Sequence, residues 1–296
     1  MTQIKIYQRH YDDLNNYKKI FDMFMADQKE DIESELSQLE ETGGHLTISF
    51  VASLIRKSAY SNYQNYDFFK EPKKLFTAIE QFRLLCELYK LTQMARSLPD
   101  GESLSLNLFE TEIVLEGLPI SSWPNRPSIC NELSLAIIMR DQTCIDALLT
   151  YTIENVAEVN ESCYTKLAQM AYLEYVYTAM QEEIDHQAIH NKNMPIMDEL
   201  LEGDYRFRLS LWRALGQLNQ DKDLDAFEQA VIESFQAQSH IQKNDRELNF
   251  HLLPVMLVAP VCIAHDKYGY VPQHQNDYLP KWLLSGKFEK GIAEAE

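Results

Sequence analysis

Glycine and proline are scarce in this chain, at nine and ten among 296 residues. Scarcity of both chain breakers argues against a turn-rich all-β fold and favours long helices. Cysteine is also thin. Cys86, Cys130, Cys144, Cys163 and Cys262 are odd in number and form no CxxC unit. They read as reduced, buried thiols of a cytosolic protein rather than a disulfide framework. The opening MTQIKIYQRHYDD has no apolar core of the kind a secretory leader needs. The longest apolar run, residues 252–264, is too short to span a bilayer and contains Pro254 and Pro260. It reads as a buried, proline-kinked helix. Neither GxGxxG nor a Walker A loop occurs, which excludes the usual nucleotide chemistry, and there is no GxSxG elbow.

Basic residues are short as well. Lys and Arg total 27 against 45 Asp and Glu, a formal net charge of -18. A field of that sign repels nucleic acid and anionic membrane and attracts basic surfaces. The nearest thing to a basic cluster, Arg206-Phe207-Arg208 with Arg213, has acidic flanks. Intramolecular ion pairs account for it. Nucleic acid and membrane are therefore not expected partners, and no cofactor is implied.

What is present is helical periodicity. Residues 11–41 place Leu14, Tyr17, Phe21, Phe24 and Met25 on one face, and Thr42-Gly43-Gly44 ends the stretch. Residues 45–60 repeat apolar positions at Leu46, Phe50, Leu54 and Ile55. The clearest amphipathic helix is 71–98, with Leu75, Ile79, Phe82, Cys86 and Tyr89 at spacings of three and four. The period then changes. Ser103-Leu104-Ser105-Leu106-Asn107-Leu108 alternates strictly, as a half-buried strand does, and Ile113-Val114-Leu115 can return beside it.

Beyond a 124–127 loop, Ser128 suits the N-cap of a helix carrying Leu133, Ala136, Ile137 and Met139. Asp141 separates that helix from one carrying Ile145, Leu148 and Leu149. Further helices are expected over 160–191, 194–202 and 205–218, the last capped by Asp204. Another begins at Asp221 or Asp223 and carries Phe227, Val231, Ile232 and Phe235. The expectation is a mainly α protein of about ten helices packed in pairs, with one small inserted β-hairpin near residues 103–116. It reads as a single domain over 1–296. Any division falls near residue 120, giving lobes 1–120 and 121–296.

Two constellations could carry chemistry. Glu182, His186 and His190 fall on one helical face. A zincin needs Glu directly after the first His, and here Gln187 follows. A metal-dependent hydrolase using this Glu/His cluster is an alternative; a solvated polar face near a helix end is the plainer reading. Cys262, His265 and Asp266 lie within about one turn, but nucleophilic triads usually assemble from separate elements. Asp266 and Lys267 read more simply as the wet end of a buried helix.

Acidic residues cluster in three groups. The first is Glu30, Asp31, Glu33, Glu35, Glu40 and Glu41. The second is Glu182, Glu183, Asp185, Asp198, Glu199, Glu202 and Asp204, with Lys192 the only Lys or Arg among them. The third is Asp221, Asp223, Asp225 and Glu228. Such runs are commonly solvated helix faces. The second is the candidate for docking a basic partner, because a loop expected around 191–195 interrupts it and loops often carry recognition.

Three stretches resemble a known family. They are WPNRPSICNELSLAIIMRDQTCIDALLTYTIENV at 123–156, the Trp212-Arg213-Ala214-Leu215 helix with Phe227-Glu228-Gln229-Ala230 within 205–240, and LLPVMLVAPVCIAHDKYGYVPQHQNDYLPKWLL at 252–284. In this order and spacing they resemble the immunity protein 49 family of bacterial polymorphic toxin systems, over residues 45–290. Tyr268-Gly269-Tyr270 departs from the basic-Gly-Leu kind of turn expected there. The resemblance implies a helical cytoplasmic protein, not an enzyme, that binds and neutralises a cognate toxin. Many such toxins are nucleases. A nuclease is basic in order to engage phosphate, so its inhibitor is expected to be acidic. A helical scaffold with several partners is the remaining alternative.

Overall fold

A computed structural model of the chain describes residues 34, 45–99, 101–108, 111–116, 127–150, 174, 188–189, 191–193, 206–244 and 253–295. The helices expected over 11–41, 160–191 and 194–202 fall almost wholly outside these residues. The described chain is mainly helical and forms two compact units.

The first unit, in chain order, holds α1 (His45–Phe69), α2 (Pro72–Arg96) and the strands β1 (Ser103–Leu108) and β2 (Thr111–Glu116). It also takes a short helix, Gln142–Leu149, and the C-terminal helix, Phe288–Ala295. The second unit holds α3 (Pro127–Met139), which precedes α4 (the Gln142–Leu149 helix), then α5 (Arg206–Asp221), α6 (Leu224–Asn244), α7 (Val255–Tyr268) and α8 (Lys281–Leu284). The C-terminal helix is α9. The units are therefore not consecutive halves of the chain.

In the first unit α2 is the organiser, packing against α1, α4 and α9. All five apolar positions read from its periodicity are buried: Leu75, Ile79, Phe82, Cys86 and Tyr89. Pro72 starts the helix, where its missing N–H costs nothing. Tyr60 of α1 meets the Phe82 ring edge-on, with centroids 5.5 Å apart. A buried polar seam runs beside this contact. Asn62 donates to Gln81 at 2.9 Å, and Gln81 donates to Ser58 at 2.7 Å. Such satisfied pairs fix the register of two helices, because any slip would strand a buried polar group. Asp141 caps α4, its carboxylate accepting from the Cys144 N–H at 3.0 Å.

The hairpin is antiparallel, with Ser103 opposite Glu116, Ser105 opposite Val114 and Leu108 opposite Thr111. The leucine positions of β1 thus share a face with Ile113 and Leu115, and the serines share the other with Glu112, Val114 and Glu116.

The second unit is built around α7. Residues 255–262 and Ala264 are all buried, as an all-round apolar sequence requires. α3, α5, α6 and α8 surround it. Leu133, Ala136, Ile137 and Met139 of α3 are buried as expected. Trp212 of α5 is fully buried, and its indole N–H donates to the Met256 carbonyl at 2.8 Å. Two expectations are corrected. Ser128 lies inside α3, because Pro127 already occupies the first turn. Pro254 precedes α7, and only Pro260 is within it. At α6 the cap is Asp223, whose carboxylate accepts from Ala226 at 2.9 Å and Asp225 at 3.1 Å.

Glycine scarcity shows at the helix ends. α1, α3 and α5 are each followed by a non-glycine residue with left-handed backbone: Lys70 (φ 55), Arg140 (φ 56) and Lys222 (φ 60). Each is basic, which suits the negative end of the helix dipole. Lys222 also repays its strain locally, donating to the Asn219 carbonyl at 2.7 Å and lying 4.5 Å over the Tyr268 ring. Lys70 makes weaker contacts, a 3.4 Å pair with Asp67 and a 5.4 Å approach to the Tyr66 ring.

Lys70→Gly is therefore expected to raise stability by about 0.5–1 kcal/mol in chemical denaturation, since glycine removes the left-handed penalty. Trp212→Ala is expected to cost about 3–5 kcal/mol in the same measurement, through the cavity it leaves.

Candidate functional site

The Cys262, His265 and Asp266 constellation is resolved by Arg140. This residue leaves α3 in its left-handed conformation and directs its guanidinium to the ends of α7 and α8. Nε donates to Asp266 at 3.1 Å, and Nη1 donates to the carbonyls of Ile138 at 2.6 Å and Leu283 at 3.0 Å. Nη2 donates to the Leu284 carbonyl and, at 3.4 Å, to Asp266. The same guanidinium reaches the Cys262 thiol.

The planar fork of arginine matches a carboxylate and adjacent carbonyls at once, which a lysine cannot do. The end of α8 is shaped for it. Gly286 (φ 64) closes a left-handed turn in which Gly286 N–H bonds Leu283 and Lys287 N–H bonds Trp282, at 3.2 and 3.0 Å. A Cβ at Gly286 would stand 3.1 Å from Arg140 Nε.

These contacts leave Cys262 no route to nucleophilic chemistry. It is fully buried, and burial pushes its thiol up to about 11, against a lowering by Arg140. His265 Nδ1 lies 2.9 Å from Asp266, but that carboxylate already serves Arg140. Asp266 is the wet end of α7. Cys86, Cys130 and Cys144 are free and buried too, and Cys163 lies outside the described residues. Cys86 is held well above its ordinary value by its contact with Cys144 and by burial.

Within the third acidic group Asp221, Asp223 and Asp225 are exposed and Glu228 is half-buried. Asp223 caps α6. Asp221 accepts from the Asp223 N–H at 2.9 Å. Glu228 is the hub of a buried network: its carboxylate accepts from the Tyr270 hydroxyl, from the Gln273 N–H at 3.1 Å and from His274 Nδ1 at 2.6 Å. Asn276 faces the other ring nitrogen of His274 at 3.4 Å and accepts from the Tyr278 N–H at 3.0 Å. Burial, then the bond to Glu228, holds the Tyr270 hydroxyl protonated far above its usual range. Phe227 meets the Tyr270 ring edge-on at 5.0 Å. Glu228 thus anchors the 270–278 segment to α6. Neither periodicity nor local motif reveals that role, because its partners lie more than forty residues away.

The first acidic group lies outside the described residues. So do Glu182, Glu183, Asp185, Asp198, Glu199, Glu202 and Asp204, together with His186 and His190. The described residues within that stretch alter one expectation. Asn191, Lys192 and Asn193 are helical, so the loop does not begin at 191. Asn193 is buried and donates to Glu174 at 2.6 Å, and Lys192 bonds the same carboxylate. Among the described residues no group of three or more His, Cys, Asp or Glu is placed to hold a metal ion. Nor is any described helix long and apolar enough to cross a membrane.

What the described geometry offers is a set of packed helices whose Arg140 and Glu228 networks hold helix ends and the 270–278 segment in place. A family model described as Immunity protein 49 matches residues 77–283, most of the chain. The chain belongs to the Immunity protein 49 family. The match runs from α2 into α8, taking in the hairpin, Arg140 and the whole of α7. As an immunity protein the chain has a cognate toxin as its partner. No curated protein and no solved structure gave a match.

Arg140→Ala in this immunity protein is expected to cost about 2–4 kcal/mol, since it strands the Leu283 and Leu284 carbonyls, and Arg140→Lys should recover less than half. Denaturant titration of the two variants checks it. Native protein treated with a thiol reagent at pH 8 should leave Cys86, Cys130, Cys144 and Cys262 unmodified, all four reacting once the chain is unfolded. Peptide mapping by mass spectrometry reads the outcome.

Proposed function

We propose that this immunity protein neutralises its toxin by stoichiometric binding, without catalysis and without a cofactor, as a single domain acting in the cytoplasm. The toxin is a basic protein, and a nuclease fits best, because an enzyme that binds phosphate carries the charge this chain complements. The docking face is the run that holds Glu182, Glu183, Asp185, Asp198, Glu199, Glu202 and Asp204.

The observation that supports this face is the bond between Lys192 and Glu174. Lys192 is the only Lys or Arg from 182 to 204. It is engaged by Glu174, a carboxylate outside the run, and a run so rich in Asp and Glu carries a negative field. A field of that kind speeds encounter with a basic surface and sets orientation, while apolar contacts at the centre of an interface supply most of the affinity. The third acidic group supports the choice by contrast, since Asp223 and Glu228 are committed to a cap and an internal network.

The test uses the toxin domain of the cognate toxin. Its activity should fall to zero at an equimolar ratio of this chain; complete inactivation at a small fraction of that ratio would indicate catalysis and contradict the reading. Reversing charge at Glu199, Glu202 and Asp204 together should slow association about tenfold or more at low salt, the difference shrinking as salt screens it. An unchanged rate and salt dependence would remove this run from the interface.

A further inference from the structure

We infer that the β1–β2 hairpin is a second docking element, its outward face seating against the basic surface of the cognate toxin; this rests on the immunity reading above. The register defines that face. Ser103, Ser105 and Asn107 stand opposite Glu116, Val114 and Glu112, so these six positions share one face of the ribbon. Exposure on both strands identifies the side as outward: Ser103 and Ser105 are exposed, and Val114 is 47% exposed. A β-branched apolar side chain left in solvent at the middle of a strand, between two glutamate positions, has the make-up of a small interface: an apolar centre with a charged rim.

The charge of the segment says what it meets. From Ser97 to Asn125 there is no Lys or Arg, while Asp100, Glu102, Glu110, Glu112 and Glu116 contribute five carboxylates. Among the described residues the other exposed large apolar residues are Phe76, Met94, Leu224 and Val271. At the start of α6, where Leu224 is also exposed, Lys222 and Lys267 lie on Tyr268 among the aspartates. The hairpin stands between α2 and α3 as an insertion in a helical chain, and its strands pack chiefly on each other among the described elements. A two-stranded ribbon of this kind adds little to a helical core, and its glutamates blunt the strand edges against self-pairing. A basic partner surface can use the same carboxylates.

Association of this chain with the toxin domain of its cognate toxin tests this. Wild type is measured first, then Glu112→Lys with Glu116→Lys, then Ser105→Lys alone, each checked for unchanged helical content and melting temperature. Ser105 is exposed, so its single substitution reports on docking even if the double variant misfolds. The expected result is association slowed about tenfold by the double variant and about threefold by Ser105→Lys at low salt, both effects fading at high salt. Val114→Arg should weaken the complex about tenfold or more. If wild type binds and the folded variants bind with unchanged rate and affinity, the hairpin is not a docking element and the immunity reading stands. If wild type itself does not bind or inhibit the toxin domain, the immunity reading fails and the hairpin inference with it.

Discussion

Burial of α7 is the constraint on which the second unit depends. A helix segment apolar on every side has no stable place except inside others, and the stretch from Val255 to Cys262 is enclosed. Enclosure creates a problem at its C-terminal end, where backbone carbonyls and a carboxylate must meet solvent or a donor. Arg140 answers it with one side chain, bonding Asp266 of α7 and the last carbonyls of α8 together. Gly286 is the residue that lets the guanidinium lie so close. Trp212 then ties α5 to the start of the same helix through Met256.

The scarcity of glycine takes a specific structural form. Where many helices end on a left-handed glycine, α1, α3 and α5 pass into Lys70, Arg140 and Lys222. A left-handed basic residue gives up about 1 kcal/mol in backbone energy and gains a charged side chain at the helix terminus. At Arg140 and Lys222 that side chain does structural work a glycine could not. The two described helices that do end on glycine, α7 and α8, end where Tyr270 must bond back to Ala264 and where Arg140 needs room.

Local features were legible in the sequence. The five apolar positions of α2 are buried as their spacing requires, the strict alternation at 103–108 is a strand, and Asp141 and Asp223 are caps because an Asp side chain satisfies free N–H groups. Tertiary features were not. Arg140 looked like a junction between two helices, and its partners are 126 to 144 residues away. Glu228 looked like one of four surface acids and is the centre of a buried network with Tyr270 and His274. Gln81 carried no apolar signal, so the seam it forms with Ser58 and Asn62 left no trace in the hydrophobic pattern. The boundary errors at Ser128 and Pro254 share a cause: a proline can open a helix as readily as it can interrupt one. For the proposed docking face, composition alone pointed to the carboxylates, which lie outside the described residues.

A scaffold of this kind suits an inhibitor. A surface already ordered before binding loses little entropy on association. The family assignment implies a cognate toxin. The central claim is protection, and the most direct measurement is survival. The toxin domain of the cognate toxin is expressed in a sensitive host with and without this chain. The account predicts growth arrest by the domain alone and restored growth when this chain is present. Arrest that persists despite abundant, folded immunity protein would contradict it.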